Sequence, residues 1–154
     1  MRLALYQPDI PQNLGAAIRL TAALEVALDI IEPCGFPLGD KAIKRAAMDY
    51  GGCAKVSHHA GWNDFLAFSR AEKARLILFT TQSAEPYQDF VFHQNDVLMM
   101  GRESAGAPPE VHEAADRRLF IPISASARSI NVITAAAMAL GEALRQTGGF
   151  PVRN

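Results

Sequence analysis

Short, almost unbroken apolar runs separated by stretches of helical periodicity constrain this chain more than any other feature. Residues 74–81 (ARLILFTT) and 96–101 (DVLMMG) place apolar side chains at successive positions. A strand wetted on one face alternates apolar with polar residues, whereas a strand covered on both faces need not. Further runs at 2–7 (RLALYQ), 28–33 (LDIIEP), 53–60 (CAKVSHHA) and 118–123 (RLFIPI) read as strands. Between them, residues 13–26, 40–48, 62–72, 108–115 and 128–149 read as helices. Asn63 or Asp64 stands near the start of the third, proline opens the fourth, and Gly148 with Gly149 stops the last. Strands alternating with helices predict an α/β fold, a parallel sheet flanked by helices on both faces. With no repeat, linker or low-complexity tract, residues 1–154 read as one domain.

Composition narrows the function classes. Apolar residues make up 49% and charged residues 20% of the 154, enough to bury a core without staples. A net charge of −1 gives no global positive field, although a local basic patch suffices for RNA. Cys34 and Cys53 form neither a CxxC pair nor a metal-ligand spacing, and read as buried or incidental thiols of a reducing compartment. The opening MRLALYQPDIPQ is too short in apolar length for a signal peptide, and no run approaches the ~18 residues of a membrane span. A cytoplasmic protein with no membrane partner is therefore expected. His58 and His59 are adjacent while His93 and His112 are isolated, which suits surface positions and argues for no metal. The phosphate-cradling GxGxxG and GxxxxGKS/T fingerprints and the GxSxG elbow of serine hydrolases are absent.

The last helical stretch has two apolar ridges. Ile130, Ile133, Ala137, Leu140 and Leu144 form one, and Val132, Ala135, Ala136, Ala139 and Ala143 form a second of small residues. A homodimer and a deeply buried helix both satisfy this pattern. Ligands of open α/β sheets bind beyond the carboxyl ends of the strands. Three such ends here carry polar loops: FTTQSAE after 74–81, GRESAG after 96–101 and PISASARSIN after 118–123. Gly101 and Gly106 permit close backbone approach, and Ser124, Ser126 and Ser129 place hydroxyls near a helix start. Serine and glycine alone are ordinary turn chemistry; three such loops at one edge point to a site.

Four ordered stretches, LYQPDIPQNLGAAIRL, IEPCGFPLGDKAIKRAAMDY, LMMGRESAGAP and IPISASARSINVITAAA, resemble the SPOUT superfamily of S-adenosylmethionine-dependent RNA methyltransferases. Within it the likeness is to the compact bacterial tRNA (cytidine/uridine-34) 2′-O-methyltransferase type. The resemblance implies a SPOUT fold whose C-terminal part is threaded into a deep trefoil knot, a topology that general connection rules would not propose. It implies that S-adenosyl-L-methionine binds in the three loops, against Phe79, Gly101, Ile121, Ser129 and Ile130. It also implies a homodimer with each active site completed near the subunit interface.

Catalytic roles follow from the same motifs. Asn13, Gly15 and Arg19 match the first, Glu103 the second, and Ser129 with Asn131 the third. Arg19 is the implied key residue, yet with a pKa above ~12 it is a poor base. Holding a phosphate and the hydroxyl suits it better. Glu103 is expected to pair with Arg19 or to orient a hydroxyl, and Asn131 could equally cap its helix. For the implied partner, a tRNA anticodon stem-loop, Lys41, Lys44 and Arg45 share one helical face, with Arg117, Arg118 and Arg145 adding charge. The family usually reads Gly-Pro-Glu-x-x-Gly with arginine before the last glycine; Arg102 and Ala105 stand in place of that proline and arginine. Alternatives are methylation of another tRNA or rRNA position, and a non-catalytic knotted RNA-binding module.

Overall fold

The computed structural model describes residues 1–38, 54–83 and 85–152. Among these, the strands are β1 (Arg2–Tyr6), β2 (Ala27–Ile31), β3 (Val56–His59), β4 (Arg75–Phe79), β5 (Glu85–Pro86), β6 (Asp96–Met100) and β7 (Arg117–Phe120). The helices are α1 (Pro11–Ala23), α2 (Trp62–Ala71), α3 (Pro109–Ala114) and α4 (Val132–Thr147). The helix expected at 40–48, with Lys41, Lys44 and Arg45, and Cys53 lie outside the described residues.

The strands form one sheet in the order β3-β2-β1-β6-β4-β7-β5, every pair parallel. Side chains alternate between its faces. Leu3, Leu5, Leu28, Ile30, Ile77, Leu98 and Met100 pack with Leu14, Ala17 and Ile18 of α1 and Ile133, Ala136 and Leu140 of α4. Ala4, Tyr6, Leu76, Leu78, Val97 and Met99 pack on the opposite face with Phe65 of α2 and Val111 of α3. Two buried faces explain why β4 and β6 lack polar alternation. The small ridge of α4 is consumed inside the chain, since Ala136, Ala139 and Ala143 are fully buried.

Two expectations need correction. The last helix begins at Val132 and not at 128, because Asn131 caps it: its Oδ1 accepts from the N–H groups of Ile133 (2.9 Å) and Thr134 (3.2 Å). Such a cap stabilises a helix by about 1 kcal/mol and holds residues 128–131 outside it. His59 is buried, not at the surface. Its Nε2 lies 2.8 Å from Asp29 Oδ1, and Arg2 donates to the same carboxylate at 2.6 and 2.8 Å. Asp29 is fully buried within β2, so this apolar strand carries an internal carboxylate that Arg2 pairs and His59 contacts. His58 and His93 are exposed.

Candidate active site

β6, β4 and β7 are neighbours in the sheet, so their carboxyl ends open at one edge. There the chain leaves a cleft of about 750 Å³. Its walls are segments 79–82, 100–107 and 120–132, the three loops singled out by sequence, joined by Ile10 and Asn13 from the start of α1. Phe79, Gly101, Ile121, Ser129 and Ile130 all line it, as do Glu103 and Asn131. The floor is apolar, from Phe79 and Met100, while Ser129 and Asn131 are exposed at the rim.

Gly101 is dictated by its own loop. A Cβ there would lie 2.6 Å from the carbonyl carbon of Gly106 and 2.7 Å from the nitrogen of Ala107. Arg102 and Gly106 exchange two backbone hydrogen bonds (3.0 and 2.9 Å), and Gly106 takes φ +68° to close the turn. The loop thus folds back on the strand that launches it. Arg102 does not swing free where the family has proline. Its guanidinium donates to Gln7 Oε1 and lies 5.9 Å from the ring centroid of Tyr6, tying the loop to the end of β1.

Glu103 is held from two sides. Oε1 accepts from Asn13 Nδ2 at 2.9 Å, and Oε2 from the backbone N–H of Asp9 at 3.0 Å. Asn13 Oδ1 in turn accepts from Asn131 Nδ2 at 3.1 Å. Glu103, Asn13 and Asn131, one from each sequence motif, therefore form a single hydrogen-bonded chain ending in the cap of α4. Asn131 is both a cap and a member of this chain. Burial pushes the Glu103 carboxyl above the ordinary range, and the adjoining Asp9 carboxyl pushes it further.

Arg19 stands apart. It is exposed, its Nε donates to Gly15 O at 3.4 Å, and it contributes nothing to the cleft wall of its own chain. The expected ion pair with Glu103 is absent among the described residues, because Asn13 and Asp9 already occupy that carboxylate. Arg145 is likewise committed, to Glu142 one turn before it (2.8 Å), whereas Arg117 and Arg118 are exposed. Sequence reading missed Asp9. The only signal was its place between a strand end and the asparagine motif.

Residues 1–141 match the SpoU rRNA methylase family. The chain belongs to that family. A tRNA (cytidine(34)-2′-O)-methyltransferase of Ancylobacter novellus is 53% identical over 150 residues, covering 97% of this chain and 95% of that protein. A solved structure concerned with 2′-OH methylation of C/U34 on tRNA superposes with a TM-score of 0.85 at 36% identity, covering 94% of both chains. An AdoMet-bound rRNA methyltransferase from Sinorhizobium meliloti gives a TM-score of 0.82 at 27% identity over 94% of this chain and 55% of that one. In this SpoU-family chain no described helix is long and apolar enough to cross a membrane.

Proposed function

We propose that this chain transfers the methyl group of S-adenosyl-L-methionine to the ribose 2′-hydroxyl of the wobble nucleotide, position 34, of tRNA. The observation that carries this reading is the cleft itself. Three family motifs converge on it, and its volume and mixed lining suit a nucleoside-sized ligand. Phe79, Met100, Ile121 and Ile130 offer apolar surface for a base and an aliphatic chain. The close return of residues 106–107 onto Gly101 leaves backbone polar groups at the wall.

The bound cofactor supplies an electrophilic methyl on a sulfonium, whose leaving group needs no proton. The 2′-oxygen forms the new C–O bond as the C–S bond breaks toward sulfur, and the hydroxyl proton passes to solvent or a nearby base. What the protein must do is hold the hydroxyl in line and stabilise the oxygen losing its proton. Glu103, fixed by Asn13 and Asp9, and Asn131, fixed by Asn13, are rigid enough to position groups at the rim; Ser129 offers a hydroxyl beside them. Arg19 holds a phosphate and the reacting ribose.

Since Arg19 lies outside the cleft of its own chain, the reading includes a homodimer in which Arg19 serves the partner's cleft. Exposed Ile10 (41%) and Met138 (39%), on the segments that open α1 and run through α4, support such a pairing. The trefoil knot belongs to the same reading and would lock the three loops together. So does a cytoplasmic setting with the tRNA anticodon stem-loop as partner, to which exposed Arg117 and Arg118 offer charge.

Nucleoside mass spectrometry of tRNA incubated with the protein and labelled S-adenosyl-L-methionine is expected to show 2′-O-methylation at nucleotide 34. Label at another tRNA or rRNA position would move the substrate assignment, and no binding of the cofactor by calorimetry would leave only a knotted RNA-binding module. Gly101→Val is expected to weaken cofactor affinity at least tenfold, because the added side chain meets backbone, and overpacking of this kind costs roughly 1–3 kcal/mol. Unaltered binding in that variant would remove the loop from the site.

A further inference from the structure

Asp9 sits beside the site without belonging to its wall. Its backbone N–H donates to Glu103 Oε2 at 3.0 Å, which sets the two carboxyls side by side. Its Oδ2 accepts from the Ser104 hydroxyl, while Oδ1 is buried and has no hydrogen-bond partner among the described residues. Gly35 closes over it so tightly that a Cβ there would come within 2.6 Å of the Asp9 Cβ. No side chain has room at position 35 on that side. Two ionised carboxylates pressed together would repel, and Oδ1 would be left buried without a donor. One proton between them removes both penalties.

We propose that Asp9 and Glu103 share a single proton, and that Asp9 is thereby a positioning residue for the last loop of the cleft. The protonated Glu103 donates to Asp9 and still accepts from Asn13 and from the Asp9 backbone. Asn13 then holds Asn131, and Asn131 holds the start of α4. Losing the proton sets two negative charges against each other at the first link of this chain. Its effect on cofactor affinity rests on the methyltransferase reading; the shared proton does not.

The surroundings favour one proton. Burial and the Asp9 carboxyl raise Glu103, while the hydrogen bond with Glu103 lowers Asp9. The folded arrangement is therefore intact between the two shifted values. Glu103 loses its contribution as pH rises through its raised value, and Asp9 loses its own as pH falls through its lowered one. Among the described residues the Cys34 thiol, on the loop after β2, also faces Glu103; it is pushed up to about 11, mainly by burial. Arg102, next in the chain, is turned away onto Gln7 and does not neutralise it.

Carboxyl-carbon NMR titration of the whole, isotope-labelled chain tests the pair directly. One carboxyl is expected to titrate above the ordinary range and the other below it. Asp9→Asn should return Glu103 toward its ordinary value. Glu103→Gln, whose amide donates without titrating, should abolish the upper step and leave the Asn131 side-chain amide signals in place at all pH. In the unsubstituted chain those signals should move through the upper step. Over the same interval the affinity for S-adenosyl-L-methionine should fall roughly tenfold, the weight of one hydrogen bond to a charged group. Two carboxyls titrating independently in the ordinary range, or Asn131 signals blind to the upper step, overturn the proposal. If step and signal shift are present but the cofactor does not bind, the shared proton stands and the methyltransferase reading fails.

Discussion

Arg19→Ala is expected to lower methyl transfer by roughly 10²–10³-fold, the range seen when one preorganised donor to a developing oxyanion is removed. Affinity for S-adenosyl-L-methionine should be almost unchanged. The two effects separate because Arg19 lines no part of the cleft of its own chain, and its side chain lies against Gly15 on the exposed side of α1. Its stability cost should be small, since an exposed arginine with no ion pair among the described residues holds nothing in place. Single-turnover kinetics beside calorimetry make the comparison. Turnover like that of the unsubstituted protein would remove Arg19 from the reacting centre. A dimer reading adds a sharper check: mixing Arg19→Ala chains with Gly101→Val chains should restore part of the activity if Arg19 acts across the interface.

Asp29→Ala should have the largest effect on stability. Deleting the carboxylate leaves the Arg2 guanidinium and the His59 ring facing a buried gap between β1, β2 and β3. Breaking a buried ion pair by removing one partner costs about 3–5 kcal/mol. Arg2 keeps 24% of its side chain exposed and can partly rehydrate, which places the expected loss near ~3 kcal/mol in that range. For a domain of this size that lowers the melting temperature on the order of 10 °C. Denaturant unfolding with an unchanged slope and a lower midpoint would record it. A loss under about 1 kcal/mol would mean that Arg2 and His59 are solvated without Asp29.

Asp29 also shows where sequence reading fails. Within LDIIEP it is one polar letter in an apolar strand, and His59 is one of two adjacent histidines. That they meet depends on the register of three strands, Asp29 opposite Ser57 and Ala4, and no local pattern records register between strands buried on both faces. Asp9 was hidden for the same reason, being 94 residues from the Glu103 whose side chain its backbone binds. The start of α4 was misplaced by four residues because Arg128, Ser129 and Ile130 are compatible with a helix. Only the Asn131 cap, braced by Asn13, excludes them. Gly101 was legible as a special position, but the neighbour that requires glycine proved to be the backbone of Gly106 and Ala107.

By itself the sequence determined six of the seven strands and the four described helices, short of β5 and the start of α4, and that the sheet is covered on both faces, because side-chain period and continuity record burial directly. It also marked three polar loops as unusual, since serine, glycine and charge cluster there at the ends of apolar strands. Tertiary structure decided that these loops are neighbours. The order β6-β4-β7 is not the order of the chain, and hydrophobicity states that a strand is buried without stating beside which partner. It likewise decided that Glu103, Asn13 and Asn131 form one chain, and that Arg19 stands outside it. Hydrogen bonds between residues some 90 to 118 positions apart depend on distances that only the packed sheet sets.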